Sequence, residues 1–149
     1  MKHIALTFLL LSLPLQACAL AGAPKWVRKG HIDCSLAPCP GVYSAVGRST
    51  GVKNPSLRQN AAGANARAEL AKVIAKKLRR APSDAFRTLV IESTVGVEIV
   101  NRWVAKNGDE YALASLSAES FHKALEAQPA LSAGEREALE KQAAVLFGK

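Results

Sequence analysis

Apolar residues recur at helical spacing over one long stretch of the chain and alternate over several short ones, and each change of period marks an element. From Leu57 to about Arg80 the residues Ala66, Leu70, Val73, Ile74 and Leu78 fall on one stripe, with Glu69, Lys72, Lys76 and Arg79 outside it. This predicts a long helix, supported by its alanines and other good helix formers. Asn54-Pro55-Ser56 opens it, with Asn54 or Ser56 as cap and Pro55 in the first turn. Pro82 ends it. Ahead of the helix, Gly41 to Arg48 reads as a short strand. After it, Phe86–Glu92 fits either a strand or a continuation of helix, whereas the β-branched run Val95–Val104 predicts a strand with Val97, Ile99 and Trp103 on one face. Asn107-Gly108 signals a two-residue hairpin loop, and Glu110–Leu116 is the returning strand. Trp103 and Tyr111 are then expected to meet across the hairpin. Ser117 caps a helix to about Ala127, Pro129 interrupts, and Ser132-Ala133-Gly134-Glu135 is a capping box opening a last helix with Leu139, Ala143 and Leu146 on one side.

The order β-α-β-β-α-α predicts an α+β fold: a small antiparallel sheet of about three strands, with the long helix and the C-terminal helices packed on it. A chain of 149 residues has room for one domain of this kind. We place that domain at 42–149, preceded by a leader at 1–17 and by a tether and cysteine loop at 18–41. No internal repeat or low-complexity tail is present. Trp26 in the tether is expected to pack against the domain rather than to serve as a ligand platform.

The N-terminus changes the picture more than composition does. Met1-Lys2-His3 is followed by the apolar run Ile4–Leu13 and then Pro14. A basic start with a short apolar run is the secretory pattern, too short for a spanning helix, which needs about 20 apolar residues. Leu15-Gln16-Ala17-Cys18 resembles the bacterial lipobox. That resemblance implies diacylglycerol on the Cys18 thiol, cleavage before Cys18, and a further acyl chain, palmitate being one such group, on the new amine. Ala19, where aspartate would favour inner-membrane retention, implies outer-membrane sorting with the domain facing the periplasm. Ordinary cleavage at Ala19-Leu20-Ala21, giving a soluble periplasmic or secreted protein, is the competing reading.

Of the three cysteines, Cys18 goes to lipid in the first reading, leaving Cys34 and Cys39 within His31–Gly41. A short proline-rich loop closed by a disulfide fits an oxidising compartment. Free thiols, or a metal held by His31, Cys34 and Cys39 with Asp33, are the alternatives; the spacing matches no zinc pattern and lacks a fourth strong ligand.

The formal charge is +8, and cleavage before Cys18 would remove only one contributor, Lys2. Basic charge raises nucleic acid as a partner, but an exported chain seldom meets it, so envelope lipids, lipopolysaccharide and wall polymers are the anionic candidates. Lys76, Lys77, Arg79 and Arg80 cluster at the end of the long helix, where cations complement the backbone dipole and could also bind an anion. For catalysis the chain offers little. The histidines are His3, His31 and His122, and His3 leaves with the leader. Glu92 and Glu98 are six residues apart on or near a strand, where carboxylates are usually solvated. Gly41, Gly47 and Gly51 lack the strand–turn–helix setting of a phosphate loop. We therefore expect no catalytic group, cofactor or small-molecule substrate.

Several stretches also occur in a familiar order: Pro24-Lys25-Trp26, Tyr43-Ser44-Ala45-Val46-Gly47, Ala64-Asn65-Ala66-Arg67-Ala68-Glu69-Leu70-Ala71, then Trp103 and Tyr111-Ala112-Leu113-Ala114. Together they resemble the LPP-twenty lipoprotein family, whose domain is similar to the N-terminal part of flagellar assembly protein T. The resemblance runs from about Pro24 to Ser117. It implies a membrane-associated lipoprotein with an α+β domain and no assigned chemistry. The chain departs from that pattern in its Cys34/Cys39 loop and its longer helical C-terminus. The expected role is a non-catalytic interaction or assembly module with an envelope protein partner. The alternative is a binder of anionic envelope polymers or lipids through the basic helix end.

Overall fold

The computed structural model describes residues 20–32, 41–78, 84 and 96–148. Along the chain these form α1 (Lys25–Lys29), β1 (Val42–Ser49), α2 (Pro55–Leu78), β2 (Glu98–Val104), β3 (Glu110–Ser117), α3 (Ala118–Glu126) and α4 (Ala133–Phe147). The strands make an antiparallel sheet in the order β1-β3-β2, with β3 in the centre and buried from Glu110 to Leu116. The fold is α+β, as the sequence predicts.

Alternation along β3 sends Ala112, Ala114 and Leu116 toward α2, α3 and α4, and Tyr111 toward α1. On the first face Leu70, Ile74, Phe121, Leu139 and Leu146 are fully enclosed. The buried stripe of α2 is Ala62, Ala66, Leu70, Ile74 and Leu78, a fourfold i, i+4 series. Val73, which the sequence placed on that stripe, is 39% exposed, because it lies one residue off the row that meets the sheet. Small residues let α2 approach closely. A Cβ on Gly47 of β1 would stand 2.0 Å from the Ala66 amide nitrogen and 2.6 Å from the Ala62 carbonyl oxygen. Only glycine fits there, since a side chain would enter the helix backbone.

The predicted caps form. Asn54 Oδ1 accepts from the Leu57 amide at 3.1 Å, so Asn54 rather than Ser56 caps α2. Ser117 and Ser120 cap each other's backbone at the start of α3, and Ser132 and Glu135 do so at α4. The Tyr43 hydroxyl donates to the Leu146 carbonyl and ties α4 to β1.

Three expectations need correction. Trp103 does not share a face with Ile99. A register shift between Ile99 and Asn101 inserts one residue, so Ile99 pairs with Ala114 while Trp103 pairs with Tyr111 on the opposite face. The β2–β3 loop has three residues, not two. Ala105 donates to the Asp109 carbonyl at 2.8 Å and Gly108 to the Ala105 carbonyl at 2.9 Å, with Gly108 at φ +85°. Finally, the segment before β1 is not all loop. Residues 25–29 form α1, closed by Gly30 at φ +77°, and bury Val27. Trp26 packs as expected, in a small cluster of Ala23, Val27, Ala105 and Tyr111 with Val46 and Trp103.

Candidate functional site

The residues singled out from sequence divide between described and undescribed segments. Cys18, Cys34, Cys39, Asp33, Glu92, Arg79 and Arg80 lie outside the described residues. Lys76 and Lys77 lie in the last turn of α2, both exposed. His31 is exposed, its Nδ1 2.7 Å from the Ile32 carbonyl oxygen. Glu98 is exposed at the start of β2. His122 lies on the outer side of α3 with Glu140, Ala143, Ala144 and Phe147 around a shallow groove of about 80 Å³. Its ring meets Phe121 edge-on at 5.8 Å. Among the described residues no three His, Cys, Asp or Glu side chains gather as metal ligands, and no helix is long and apolar enough to cross a membrane.

The structure instead assembles two polar sites that the sequence reading did not find. The first runs along the flank of α2. Glu110, buried at the start of β3, accepts from Arg58 Nε at 3.2 Å and lies 3.5 Å from Arg102 Nη1. Arg102 Nη1 also donates to the Gln59 carbonyl at 3.0 Å. The bulge in β2 makes this possible, since it brings Arg102 opposite Ala112 on the helix side of the sheet. Further along, Arg102 Nη2 and Arg67 Nη1 lie 3.4 and 3.6 Å from where a Cβ of Gly63 would be. Gln59, Gly63 and Arg67 form one i, i+4 row of the helix, and the missing side chain lets both guanidiniums settle over Gly63. The Arg67 Nε is enclosed and has no hydrogen-bond partner among the described residues.

The second site lies at the hairpin end, beside α1. Asp109 is buried and accepts from Arg48 at 2.5 Å and from Asn107 Nδ2 at 2.8 Å. Burial works against its ionisation, but the bonds from Arg48 and Asn107 and the Arg48 charge outweigh it, holding the carboxyl below the usual carboxylate range. The bond to Asp109 raises the Arg48 pKa in turn. The Arg48 guanidinium also lies 5.6 Å from the Tyr111 ring centroid, and Trp103 packs tilted on Tyr111 at 5.5 Å. Lys25, Arg28, Lys29 and His31 are exposed around α1, and no acidic residue occurs from Leu20 to Ile32.

A helix row with a glycine gap between polar residues is a faint signal for the first site. Its partners Arg102 and Glu110 come together only through strand register. Compared with known proteins, the chain matches no family model, no curated protein and no solved structure. What fold and surface define is a small α+β domain with a cationic N-terminal end and an arginine-rich helix flank.

Proposed function

We propose that this chain is a lipid-anchored envelope protein, tethered through Cys18 and acting as a non-catalytic interaction module held close against the bilayer. The observation that supports it most is the docking of residues 23–29. Ala23 and Val27 are buried against Ala105 and Tyr111, so the chain is fixed to the domain almost as soon as it leaves the anchor. From Cys18 to Ala23 the backbone spans at most about 18 Å. Acyl chains on Cys18 would therefore hold the α1 end of the domain at the headgroup layer, where its cations favour an anionic surface. Protein recruitment is supported by β2, which borders the described sheet and leaves Val100 and Val104 41% and 49% exposed. Such an edge can accept a strand from a partner. The LPP-twenty resemblance agrees with this reading, and an exported location favours a Cys34–Cys39 disulfide over free thiols or a metal site.

Fractionation and intact-mass measurement of the wild-type chain and Cys18→Ser test the anchor. The wild type should sediment with membranes at a mass that includes acyl groups and lacks residues 1–17. Cys18→Ser should leave the membrane fraction or stay at precursor mass. A wild-type chain recovered in the cytosol, unacylated and with its leader intact, would refute the reading.

A second reading rests on Lys76 and Lys77, which make no ion pair among the described residues and stand exposed at the end of α2. With Arg79 and Arg80 they would bind anionic polymers or lipids, and that binding would weaken with salt.

A further inference from the structure

We propose that the paired guanidiniums of Arg67 and Arg102, lying over Gly63 on the flank of α2, form a binding site for a phosphate group. The proposal needs only the folded domain, so it stands or falls separately from the lipid anchor.

Charge balance is the first argument. Arg58, Arg102 and Arg67 follow one another along the α2 flank, and Glu110 is the carboxylate that the first two meet. Glu110 is shared between Arg58 and Arg102, and the nearby Glu69 is taken by Lys72 at 2.6 Å. Among the described residues the Arg67 side chain makes no hydrogen bond and no ion pair. Its Nε is enclosed, so it has given up water without gaining an acceptor. The guanidinium is thus partly desolvated with its charge uncompensated, and an anion at its Nη1 end would supply the missing counter-charge.

Geometry is the second. The sum of their distances to the Gly63 Cβ position puts Arg102 Nη2 and Arg67 Nη1 no more than 7.0 Å apart. Charge-assisted N–H···O bonds run about 2.7–2.9 Å, so two oxygens of one phosphate can reach both groups at once. Two like charges held this close repel each other, and a tetrahedral anion between them reverses that term. Guanidinium forks suit phosphate because each offers parallel donors to two oxygens. Arg102 is already held in place by Gln59 and Glu110, so one half of the site is organised before the ligand arrives.

Phosphate of this kind could come from a lipid headgroup or from a soluble phosphate, and the chemistry at the two arginines is the same. The test uses the full chain in uncharged detergent at constant ionic strength. It is titrated with inorganic phosphate and, separately, with glycerophosphoglycerol, the deacylated headgroup of phosphatidylglycerol. Thermal melting and calorimetry report binding. Arg67→Gln is the informative variant, because among the described residues the Arg67 side chain makes no bond that the substitution would break. The wild type should gain Tm with a single binding event, and Arg67→Gln should bind at least about tenfold more weakly, roughly the loss of one charge-assisted pair. Lys141→Gln, which removes an exposed cation on α4 away from this flank, should bind as the wild type does. Tighter binding of glycerophosphoglycerol would assign the site to a bilayer headgroup, and tighter binding of inorganic phosphate to a soluble ligand; either ordering supports the site. Equal binding by wild type and Arg67→Gln, or no binding of either probe up to about 10 mM, where any ligand of millimolar affinity would shift Tm, would overturn the proposal.

Discussion

The two faces of the sheet are covered by different means. On one, α2, α3 and α4 enclose a cluster of sixteen buried residues among those described, dominated by alanine and leucine, with Phe121 the largest fully enclosed side chain. On the other, the five-residue α1 brings Val27 and Trp26 to a cluster with four buried members among the described residues, where Trp26, Val46 and Trp103 are only partly covered. The first face is built from helices that bury a continuous row; the second from a short segment whose aromatic rings keep one side in solvent. Burial of apolar area drives folding in proportion to the area removed from water. Most of the stability therefore resides on the helix face. The α1 face positions the N-terminal segment at modest cost, and a small apposed segment of this kind opens locally without unfolding the rest.

The contrast is broken most severely at Gly47, where β1 and α2 touch backbone to backbone. Gly47→Ala places its methyl 2.0 Å from the Ala66 nitrogen, an approach that no rotamer can relieve. We expect a loss of about 3 kcal/mol or more, at the upper end of overpacking penalties, because backbone must move. Urea unfolding of the full chain measures it. A loss below about 1 kcal/mol would mean that α2 can slide on the sheet and that the tight crossing does not govern the helix face.

How far this architecture was legible in the chain follows from the same physics. The α2 row, the Ser117 cap, the Ser132–Glu135 capping box and the β2–β3 hairpin were legible because each is a local pattern: a period, a serine at a helix start, a glycine at a turn. The bulge after Ile99 was not, since one inserted residue leaves the β-branched composition of Val95–Val104 unchanged and yet moves Trp103 to the other face. Nor was α1, because five residues are too few to display a helical period. The Arg58–Glu110–Arg102 bridge depends on residues from three elements, and only register brings them together. The extra loop residue at Lys106–Gly108 escaped for a related reason: Asn-Gly announces a turn but does not fix how many residues precede the closing pair.

Trp26→Ala sharpens the contrast from the other side. Removing a half-buried ring should cost about 1–2 kcal/mol at most. More telling is where the effect falls. Amide exchange should accelerate at Val27, Arg28 and Gly30, which bond back to Pro24 and Trp26, while Leu70, Ile74 and Leu116 keep their protection. Uniform loss of protection across both sets would show that the two faces unfold as one unit and that α1 is no separate device.

The smallest effect is expected at the hairpin end, and pH isolates it. Asp109 has a folded pKa below its unfolded value, near 3.8, so its ionised form stabilises the fold at neutral pH. That contribution is fully present above the unfolded pKa and is lost as pH falls through the folded pKa. Arg48 stays protonated throughout, its own pKa being raised, so the pH dependence of the pair belongs to Asp109. The Arg48 side chain is 51% exposed, and solvent therefore screens the pair to about 1 kcal/mol or less. Asp109→Asn keeps an acceptor of the same shape but removes the charge. Its stability deficit relative to wild type should be greatest near neutral pH and should shrink as the medium is acidified below about pH 4. All other carboxylates titrate in both chains and cancel in the difference. A deficit that stays constant down to pH 2 would mean that Asp109 holds the hairpin by shape alone, with Arg48 contributing through its stack on Tyr111 rather than through charge.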